Sequence, residues 1–349
     1  MQKMRAVIFR KHGTPGELEY TYVPKPKPGP GEVLIKVRAC ALNHLDLWAL
    51  GGMRGVSIPL PHILGCDIAG EVAALGPGVR KIRLNKRVVV APGVSCGHCG
   101  YCKSGWDSLC AKYQILGLQR SGGYAQYAVV PAHNVIRVSK KLSYEKWAAI
   151  PLVFLTAWHM LVTRAGLQKG ETALIHAAGS GVGSAGLQIA KYLGAKTVTT
   201  VGSDKKAARA KMLGADHVIN YQKKEFHEEV QTWTKMRGVD VVLEHIGPET
   251  FPKSVACLAK KGRLVTCGVT SGPSTPLDIR YVFARQLSIL GCYMGGMAEL
   301  HKVIRLVEKG KLKPVVDEIF PLREAQKALT RMQDRAHFGK IILTPDHSD

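Results

Sequence analysis

The stretch Ala173–Gly183 reads ALIHAAGSGVG, a run of small and apolar residues that leads directly into three glycines. The run from Thr172 predicts a buried strand, and the residues after the glycines, through Tyr192, follow the pattern of an amphipathic helix. A glycine turn between a strand and a helix lets the backbone approach a pyrophosphate, which the helix N-terminus then binds. We therefore expect a dinucleotide to contact Gly179, Ser180, Gly181, Val182 and Gly183.

Strands and helices continue to alternate after this turn, with a predicted helix over Lys205–Leu213. Short apolar runs predict five further strands at Lys196–Val201, His217–Asn220, Asp240–Glu244, Arg263–Cys267 and Leu287–Leu290. Such alternation is typical of a parallel sheet with helices on both faces. The fold class expected for this region is therefore α/β, with a doubly wound parallel sheet.

The first 150 residues have a different, β-rich pattern, with strands predicted at Glu32–Val37, Ile68–Val72, Arg87–Ala91 and Tyr124–Val130. The end of the chain predicts two helices, Ala298–Val307 and Glu324–Met332, and a last strand, Lys340–Thr344. A chain of 349 residues is too long for one ordinary core. We expect a β-rich domain made of residues 1–153 and 294–349, and a cofactor domain made of residues 154–293.

The residues after the second strand of the cofactor domain bear on the choice of cofactor. Gly202 follows the strand and leaves room for a 2′-phosphate, which nearby cationic side chains can neutralise. Asp204 supports the other choice, because an acidic residue there can bind the ribose hydroxyls of NAD, or it can simply cap the next helix. The pattern favours NADP(H) over NAD(H), with contacts from Ser203, Lys205 and Arg209.

A four-cysteine loop has the spacing C-x2-C-x2-C-x7-C, with Cys96, Cys99, Cys102 and Cys110. Four thiolates in one loop are the usual ligands of a structural zinc ion, and the spacings of ferredoxin clusters differ. An iron–sulfur cluster and disulfides are the less favoured alternatives. His98 lies inside the loop but is not needed, so we expect one structural Zn²⁺ per chain.

Charge and hydropathy limit the remaining function classes. Lys and Arg number 49 against 26 Asp and Glu, a formal charge of +23 that can attract polyanions. No nucleic-acid-binding motif accompanies these charges, so we interpret them as general surface character and nucleic acid as an unlikely partner. No apolar run of about 18 residues and no signal-peptide pattern occur. We expect a cytoplasmic protein without a membrane partner.

The cysteine loop followed by the glycine turn resembles the medium-chain dehydrogenase/reductase superfamily, which includes zinc alcohol dehydrogenases and quinone oxidoreductases. Further similar motifs are PGPGEVLIKV from Pro28, GCDIAG from Gly65, LTAW from Leu155 and GKIIL from Gly339. The resemblance implies a GroES-like catalytic domain and a Rossmann cofactor domain. It also implies a homodimer or homotetramer joined near Leu287–Cys292. The remaining expected cofactor contacts are Thr156 at the nicotinamide, Lys340 at the pyrophosphate, and Gly268 and Val269.

The resemblance breaks down at the catalytic zinc of alcohol dehydrogenases. Asn43 stands where that family has its first cysteine ligand, and Cys66-Asp67 stands where it has a His-Glu pair. The third ligand position falls at Leu152 or Val153, so Cys66 remains as a ligand and Asp67 as a further candidate. Catalytic zinc needs three protein ligands. We therefore expect no conventional catalytic zinc; a true zinc enzyme with irregular ligands such as His44 or Asp46 is the alternative.

The segment Asn43-His44-Leu45-Asp46 instead is similar to the zinc-free quinone oxidoreductase branch. We expect the Asn43 amide, with or without His44, to donate a hydrogen bond to the substrate carbonyl. His44 is expected mainly at a cofactor phosphate, and Asp46 in a hydrogen bond that braces the loop. Apolar residues around this segment favour a hydrophobic substrate: Trp48, Leu152 and Phe154.

The expected function is alcohol dehydrogenase-like transfer of hydride between NADP(H) and a hydrophobic ketone, aldehyde or quinone. A different class of function also remains open, a protein that keeps the cofactor site but binds nucleic acid and catalyses nothing. Salt-sensitive retention of nucleic acid, without cofactor oxidation, would favour that alternative.

Overall fold

The computed structural model describes residues 2–347, which form two compact units. The first unit contains the chain up to Leu152, Gly296–Glu308 and the chain from Pro314 onward. The second unit contains Val153–Gly295 and Lys309–Lys313. The expected domains, residues 1–153 with 294–349 and residues 154–293, stay a prediction as domains that fold independently.

Seventeen strands form in the described residues. They are β1 (Lys3–Ile8), β2 (Glu19–Pro24), β3 (Glu32–Ala41), β4 (Asp67–Leu75), β5 (Arg87–Val90), β6 (Gly93–Val94), β7 (Gln114–Ile115), β8 (Tyr127–Pro131), β9 (Val135–Arg137), β10 (Thr172–Ile175), β11 (Lys196–Val201), β12 (His217–Asn220), β13 (Val239–Glu244), β14 (Leu258–Thr266), β15 (Ser288–Gly291), β16 (Val316–Pro321) and β17 (Lys340–Thr344).

Eleven α-helices accompany these strands in the described residues. They are α1 (His44–Gly51), α2 (Gly100–Lys103), α3 (Tyr144–Ala148), α4 (Pro151–Trp158), α5 (Gly181–Tyr192), α6 (Asp204–Met212), α7 (Phe226–Trp233), α8 (Phe251–Ala256), α9 (Ile279–Arg285), α10 (Met297–Glu308) and α11 (Ala325–Gln333).

The second unit is built on a sheet of six parallel strands in the order β12-β11-β10-β13-β14-β15. All six residues of β13 are buried, although successive side chains of a strand point to opposite faces. The sheet is therefore covered on both sides, and the expected doubly wound parallel sheet is confirmed. The strand order reverses between β10 and β13, which are neighbours at the centre of the sheet.

The first unit is built on a largely antiparallel sheet in the order β16-β17-β3-β4-β5-β9, with β8 also paired to β3. β17 comes from the end of the chain, yet it pairs with β3, where Ile342 lies opposite Ala41. This pairing places Lys340, the first residue of β17, close to the start of α1. The β-rich pattern expected for this region is confirmed.

Two details of the first unit differ from the sequence-based expectations. The hairpin β1–β2 was not expected from the sequence. Its signal is that apolar Met4 and Ala6, which are buried, alternate with the polar residues Lys3 and Arg5, as in a half-buried strand. The strand expected from Tyr124 begins only at Tyr127, because the backbone before it bonds to other segments: the Tyr124 N–H donates to the Leu64 carbonyl oxygen, and the Val7 N–H donates to the Tyr124 carbonyl oxygen.

One helical stretch, Tyr144–Arg164, is long and apolar enough to cross a membrane by length and composition alone. Within its most apolar window, 78% is buried inside the protein. Trp147, Phe154 and Met160 from this stretch are core residues. Burial in the protein core accounts for the apolar composition, so this helix is weak evidence for a membrane span.

Candidate functional site

The expected dinucleotide turn lies at the carboxyl end of β10, where the strand order of the parallel sheet reverses. Open α/β sheets bind ligands at this position. Ser180 is the N-cap residue of α5, and its hydroxyl accepts a hydrogen bond from the Gly183 N–H at 2.8 Å. The turn thus leads into the positive end of a twelve-residue helix, as phosphate binding requires.

Glycine at position 183 is required by close packing of the helix against the turn. A Cβ atom there would lie 2.1 Å from the Ala177 carbonyl oxygen, far inside van der Waals contact. Gly186, one turn later, faces β13, and a Cβ there would lie 2.7 Å from the Leu243 side chain. These two glycines bring α5 close to the sheet at the reversal point.

His176, the residue after β10, lies in a completely buried network that joins three strand ends and was not foreseen from the sequence. Its Nδ1 lies 3.1 Å from Thr200 Oγ1 on β11, and its Nε2 lies 2.8 Å from Ser254 Oγ on α8. Ser254 donates in turn to Glu244, the last residue of β13. Burial lowers the pKa of His176, so its ring is neutral near pH 7.

Glu244 also accepts hydrogen bonds from the N–H groups of Ile246 and Gly247, at 2.6 and 3.2 Å. The network therefore holds the backbone that follows β13 as well as the end of β10. A histidine directly after one buried strand and a glutamate at the end of another are the sequence signal that identifies it.

Gly202 follows β11, as expected, and lies next to the end of the exposed Tyr221 side chain. A Cβ atom at Gly202 would lie 2.6 Å from the Tyr221 hydroxyl oxygen. Ser203, rather than Asp204, is the N-cap residue of α6, and its hydroxyl accepts from the Lys206 N–H at 3.3 Å. Lys205 is exposed in the first turn of that helix.

The Asp204 carboxylate is occupied within the second unit. One oxygen accepts from Asn220 Nδ2 at 2.8 Å, and the other lies 2.6 Å from the Lys223 ammonium. Hydrogen bonds from Lys223 and Asn220 lower the pKa of Asp204. Binding of ribose hydroxyls by Asp204 would have to displace or share these partners.

Thr156 is a buried residue of α4, and its hydroxyl has no hydrogen-bond partner among the described residues. An unpaired buried hydroxyl costs roughly 1–3 kcal/mol, so a bound group that pairs with it is favoured. Thr156 therefore fits the contact with a nicotinamide that the resemblance implies. The other expected cofactor residues of this unit, Gly268 and Val269, follow β14, and Val269 is exposed.

The residues expected at the catalytic centre are brought together in the first unit by a buried ion pair. The Lys340 ammonium lies 3.1 Å from Asp67 Oδ2 and 2.6 Å from Asn43 Oδ1. It also donates to the Leu42 carbonyl oxygen at 2.5 Å. Three acceptors use the three hydrogens of an ammonium, so a pyrophosphate contact from Lys340 would require one of these bonds to break.

The Asn43 amide is equally occupied. Its nitrogen donates to Asp67 Oδ2 at 2.8 Å and contacts Cys66 Sγ at 3.3 Å. The second Asp67 oxygen accepts from the Leu152 N–H at 2.7 Å. Both hydrogens of the amide therefore have acceptors inside the unit, and Asn43 is only 5% exposed.

Asp46 fixes the beginning of α1, as expected of a bracing residue. Its carboxylate accepts from the Asn43 N–H at 2.7 Å, from the Gly65 N–H at 3.2 Å and from the Tyr124 hydroxyl at 2.8 Å. Burial raises the pKa of Asp46 to about 6, against the opposing effect of these hydrogen bonds. His44, in the same helical turn, is exposed and packs its ring edge-on against Trp48.

These residues do not fit a catalytic zinc ion. Such a site needs three protein ligands and an open position. Asn43 and Asp67 are bound to the Lys340 ammonium, which would repel a second cation at the same place. Only Cys66 remains, and burial raises the pKa of its thiol, which disfavours the thiolate that metals bind.

The four loop cysteines do fit a metal ion. The sulfur atoms of Cys96, Cys99, Cys102 and Cys110 all lie within 4.8 Å of one another. Backbone N–H groups of His98 and Cys99 lower the pKa of Cys96 and favour its thiolate. His98 itself turns away and lies 2.8 Å from the Cys96 carbonyl oxygen. Four converging sulfurs suit tetrahedral zinc.

Two family models match the chain, one in each region. The model described as alcohol dehydrogenase GroES-like domain matches residues 29–140, and the model described as zinc-binding dehydrogenase matches residues 181–309. An NAD-dependent alcohol dehydrogenase of Sulfolobus acidocaldarius is 32% identical over 348 residues, 97% of this chain and 99% of that protein. The chain belongs to the medium-chain dehydrogenase/reductase superfamily. The resemblance and its GroES-like domain are thereby confirmed.

Two further relatives of this dehydrogenase differ in their activities. An NAD-dependent alcohol dehydrogenase of known crystal structure is 45% identical in sequence to this chain. The two structures superpose over 98% of this chain and 99% of the other, with a TM-score of 0.94. An acryloyl-coenzyme A reductase of Metallosphaera sedula is 32% identical over 344 residues, 98% of this chain and 100% of that protein. The dehydrogenase is therefore an oxidoreductase whose family includes both alcohol dehydrogenases and reductases.

Replacing Lys340 with Met should lower the free energy of unfolding by about 3–5 kcal/mol, because Asp67 would be left as a buried, uncompensated charge. Chemical denaturation followed by fluorescence measures the change. The double variant Lys340→Met/Asp67→Asn should recover part of the loss, since neither charge then remains.

Lys311→Met removes an exposed lysine and serves as the control. Equal stability of Lys340→Met and Lys311→Met would contradict the importance of the buried ion pair.

Proposed function

We propose that this dehydrogenase reduces small hydrophobic ketones, aldehydes or quinones with NADPH and without a catalytic metal. The observation that carries the proposal is the Lys340 ammonium, bound by Asn43 and Asp67 where zinc enzymes of the superfamily have ligands. The bound nicotinamide supplies the hydride. The residues of the chain then have to bind and orient the two reactants.

The buried members of the expected catalytic set act as positioning residues. Asn43 has no amide hydrogen left for a substrate, so we replace its expected role as carbonyl donor with that of a link between Lys340, Asp67 and α1. Asp46 holds the first turn of α1 through three hydrogen bonds. His44 is exposed in that turn, and we assign it to a cofactor phosphate at the positive end of the helix.

The proposed preference for NADP(H) is supported by what lies beyond β11. Asp204, the acidic candidate for binding ribose hydroxyls, is paired with Lys223 and Asn220. Lys205 and Arg209 provide cations on the same helix for a 2′-phosphate. Two of the relatives are named as NAD-dependent, so this preference is a property proposed for this chain alone.

We expect one structural zinc ion in the cysteine loop. We also expect the enzyme activity to be independent of any further metal ion. Washing with a chelator should leave about one zinc per chain and an unchanged rate of NADPH oxidation with a hydrophobic ketone. Elemental analysis and absorbance at the NADPH band measure both. Cys96→Ser should lose the zinc and unfold at lower temperature, because three thiolates cannot close the site.

Cys66→Ser is the matched control, since it removes a buried thiol outside the loop and should keep the zinc. Two zinc ions per chain, with activity lost when one is removed, would contradict metal-independent reduction.

Neutralising the two cations on α6 should separate the cofactors. In Lys205→Gln and in Arg209→Gln, kcat/KM for NADPH should fall about tenfold, the size of one charge-assisted hydrogen bond. The value for NADH should change little, because NADH carries no 2′-phosphate. Steady-state kinetics with both cofactors measures the ratio.

Lys211→Gln, on the same helix, should leave both values unchanged. A wild-type enzyme that uses NADH more efficiently than NADPH would refute the proposed preference.

The proposed homo-oligomer is supported by the exposed edge of the parallel sheet. β15 is the edge strand, and α9, which precedes it, contains no buried residue. Ile279 and Phe283 on α9 are 67% and 69% exposed, and Tyr293 beyond β15 is 51% exposed. An apolar surface beside an unpaired strand edge is typical of an interface with a second copy.

Placing charges on this surface should dissociate the oligomer. The double variant Ile279→Asp/Phe283→Asp should elute as a monomer in size exclusion with light scattering, because a charge cannot be buried without a partner. Met212→Asp, at a residue that is 81% exposed elsewhere on the unit, should leave the mass unchanged. A monomeric wild-type protein would refute the assembly.

A further inference from the structure

The positive charge of this dehydrogenase is concentrated in one part of the first unit. Residues 72–144 contain eleven Lys or Arg and a single acidic residue, Asp107. The segment Arg80–Arg87 is the densest part, with the sequence RKIRLNKR. It runs from the loop after β4 into the first residue of β5, and its backbone is held where the Asn85 N–H donates to the Val72 carbonyl oxygen at 2.8 Å.

This loop borders a cavity of about 530 Å³ in the first unit. The cavity is formed by the loop together with β5 and β9, which pair at the edge of the sheet. Four cationic and three apolar residues line it: Lys81, Arg83, Lys86 and Arg137, with Ile82, Val88 and Val135. No carboxylate is among the lining residues. Cavities that hold small molecules have volumes of roughly 300–1,000 Å³.

The four cations have no ion pair within 4.0 Å among residues 2–347. Arginines elsewhere in the same unit are paired, such as Arg38 with Glu71 and Arg120 with Glu32. Like charges that share one cavity repel each other, which destabilises the folded unit unless an anion enters.

We propose that this cavity binds a small molecule that carries two or more phosphate groups. Arginine guanidinium groups bind phosphate oxygens in pairs, and the lysines add charge without a fixed direction. Val88, Val135 and Ile82 provide apolar contact for the remainder of the ligand. None of the residues that line the cavity is among those assigned to the cofactor, which include His44 of the first unit and the glycine turn of the second. The proposed ligand is therefore bound in addition to the cofactor.

Calorimetric titration with inorganic tripolyphosphate tests the site. The protein is first saturated with NADP⁺, so that the glycine turn cannot bind the probe. An ionic strength of about 0.15 M screens charges more than about 8 Å apart and suppresses diffuse attraction. We expect one saturable site per chain. Its Kd should rise at least about tenfold in Lys81→Gln/Lys86→Gln and also in Arg83→Gln/Arg137→Gln.

Lys309→Gln/Lys311→Gln removes the same number of exposed lysine charges from the second unit and should leave Kd unchanged. The rate of NADPH oxidation in all three double variants should equal that of the wild type, which shows that they fold. Absence of saturable binding, or equal weakening in the lysine control, would overturn the proposal. The proposal would also be overturned by a single-stranded oligonucleotide whose binding depends on Lys81 and Lys86 and is not reduced by competing tripolyphosphate.

Discussion

The ammonium of Lys340 and the carboxylate of Asp67 are buried together, and neither is stable in the interior without the other. They lie 273 residues apart in the chain and meet because β17, near its end, pairs with β3. Asn43 binds both groups, and through its own N–H it also binds Asp46 at the beginning of α1. One ion pair thus connects the last strand to the first helix of the unit.

This ion pair changes what the superfamily's metal position can do in this chain. The carboxylate that would face a metal is neutralised by a protein cation, and the amide at Asn43 turns both of its ends toward that pair. The cysteine loop is the place that suits zinc, because four sulfurs converge there and no protein cation lies among them. At the metal position of the superfamily, the Lys340 ammonium opposes the binding of a second cation.

The second unit buries its carboxylate, Glu244, with hydrogen-bond donors instead of a permanently charged lysine. A buried histidine, serine and glutamate connect the ends of β10 and β13, the two strands between which the sheet reverses. Their hydrogen bonds hold the backbone on either side of the expected cofactor turn. The hydroxyl of Thr156 remains without a partner among the described residues, which is the arrangement expected where a ligand completes the hydrogen bonding.

Local patterns in the sequence were sufficient for the parallel sheet, the glycine turn and the four-cysteine loop, because strand periodicity, closely packed glycines and ligand spacing act over short distances. The late start of β8 at Tyr127 was missed, since the backbone of Tyr124 bonds to Leu64 and Val7, which lie far away in the sequence. The partners of Lys340, Asn43 and Asp204 depended on tertiary structure as well. Charged and polar side chains choose partners by proximity in space, and only the folded chain determines which distant residues become neighbours.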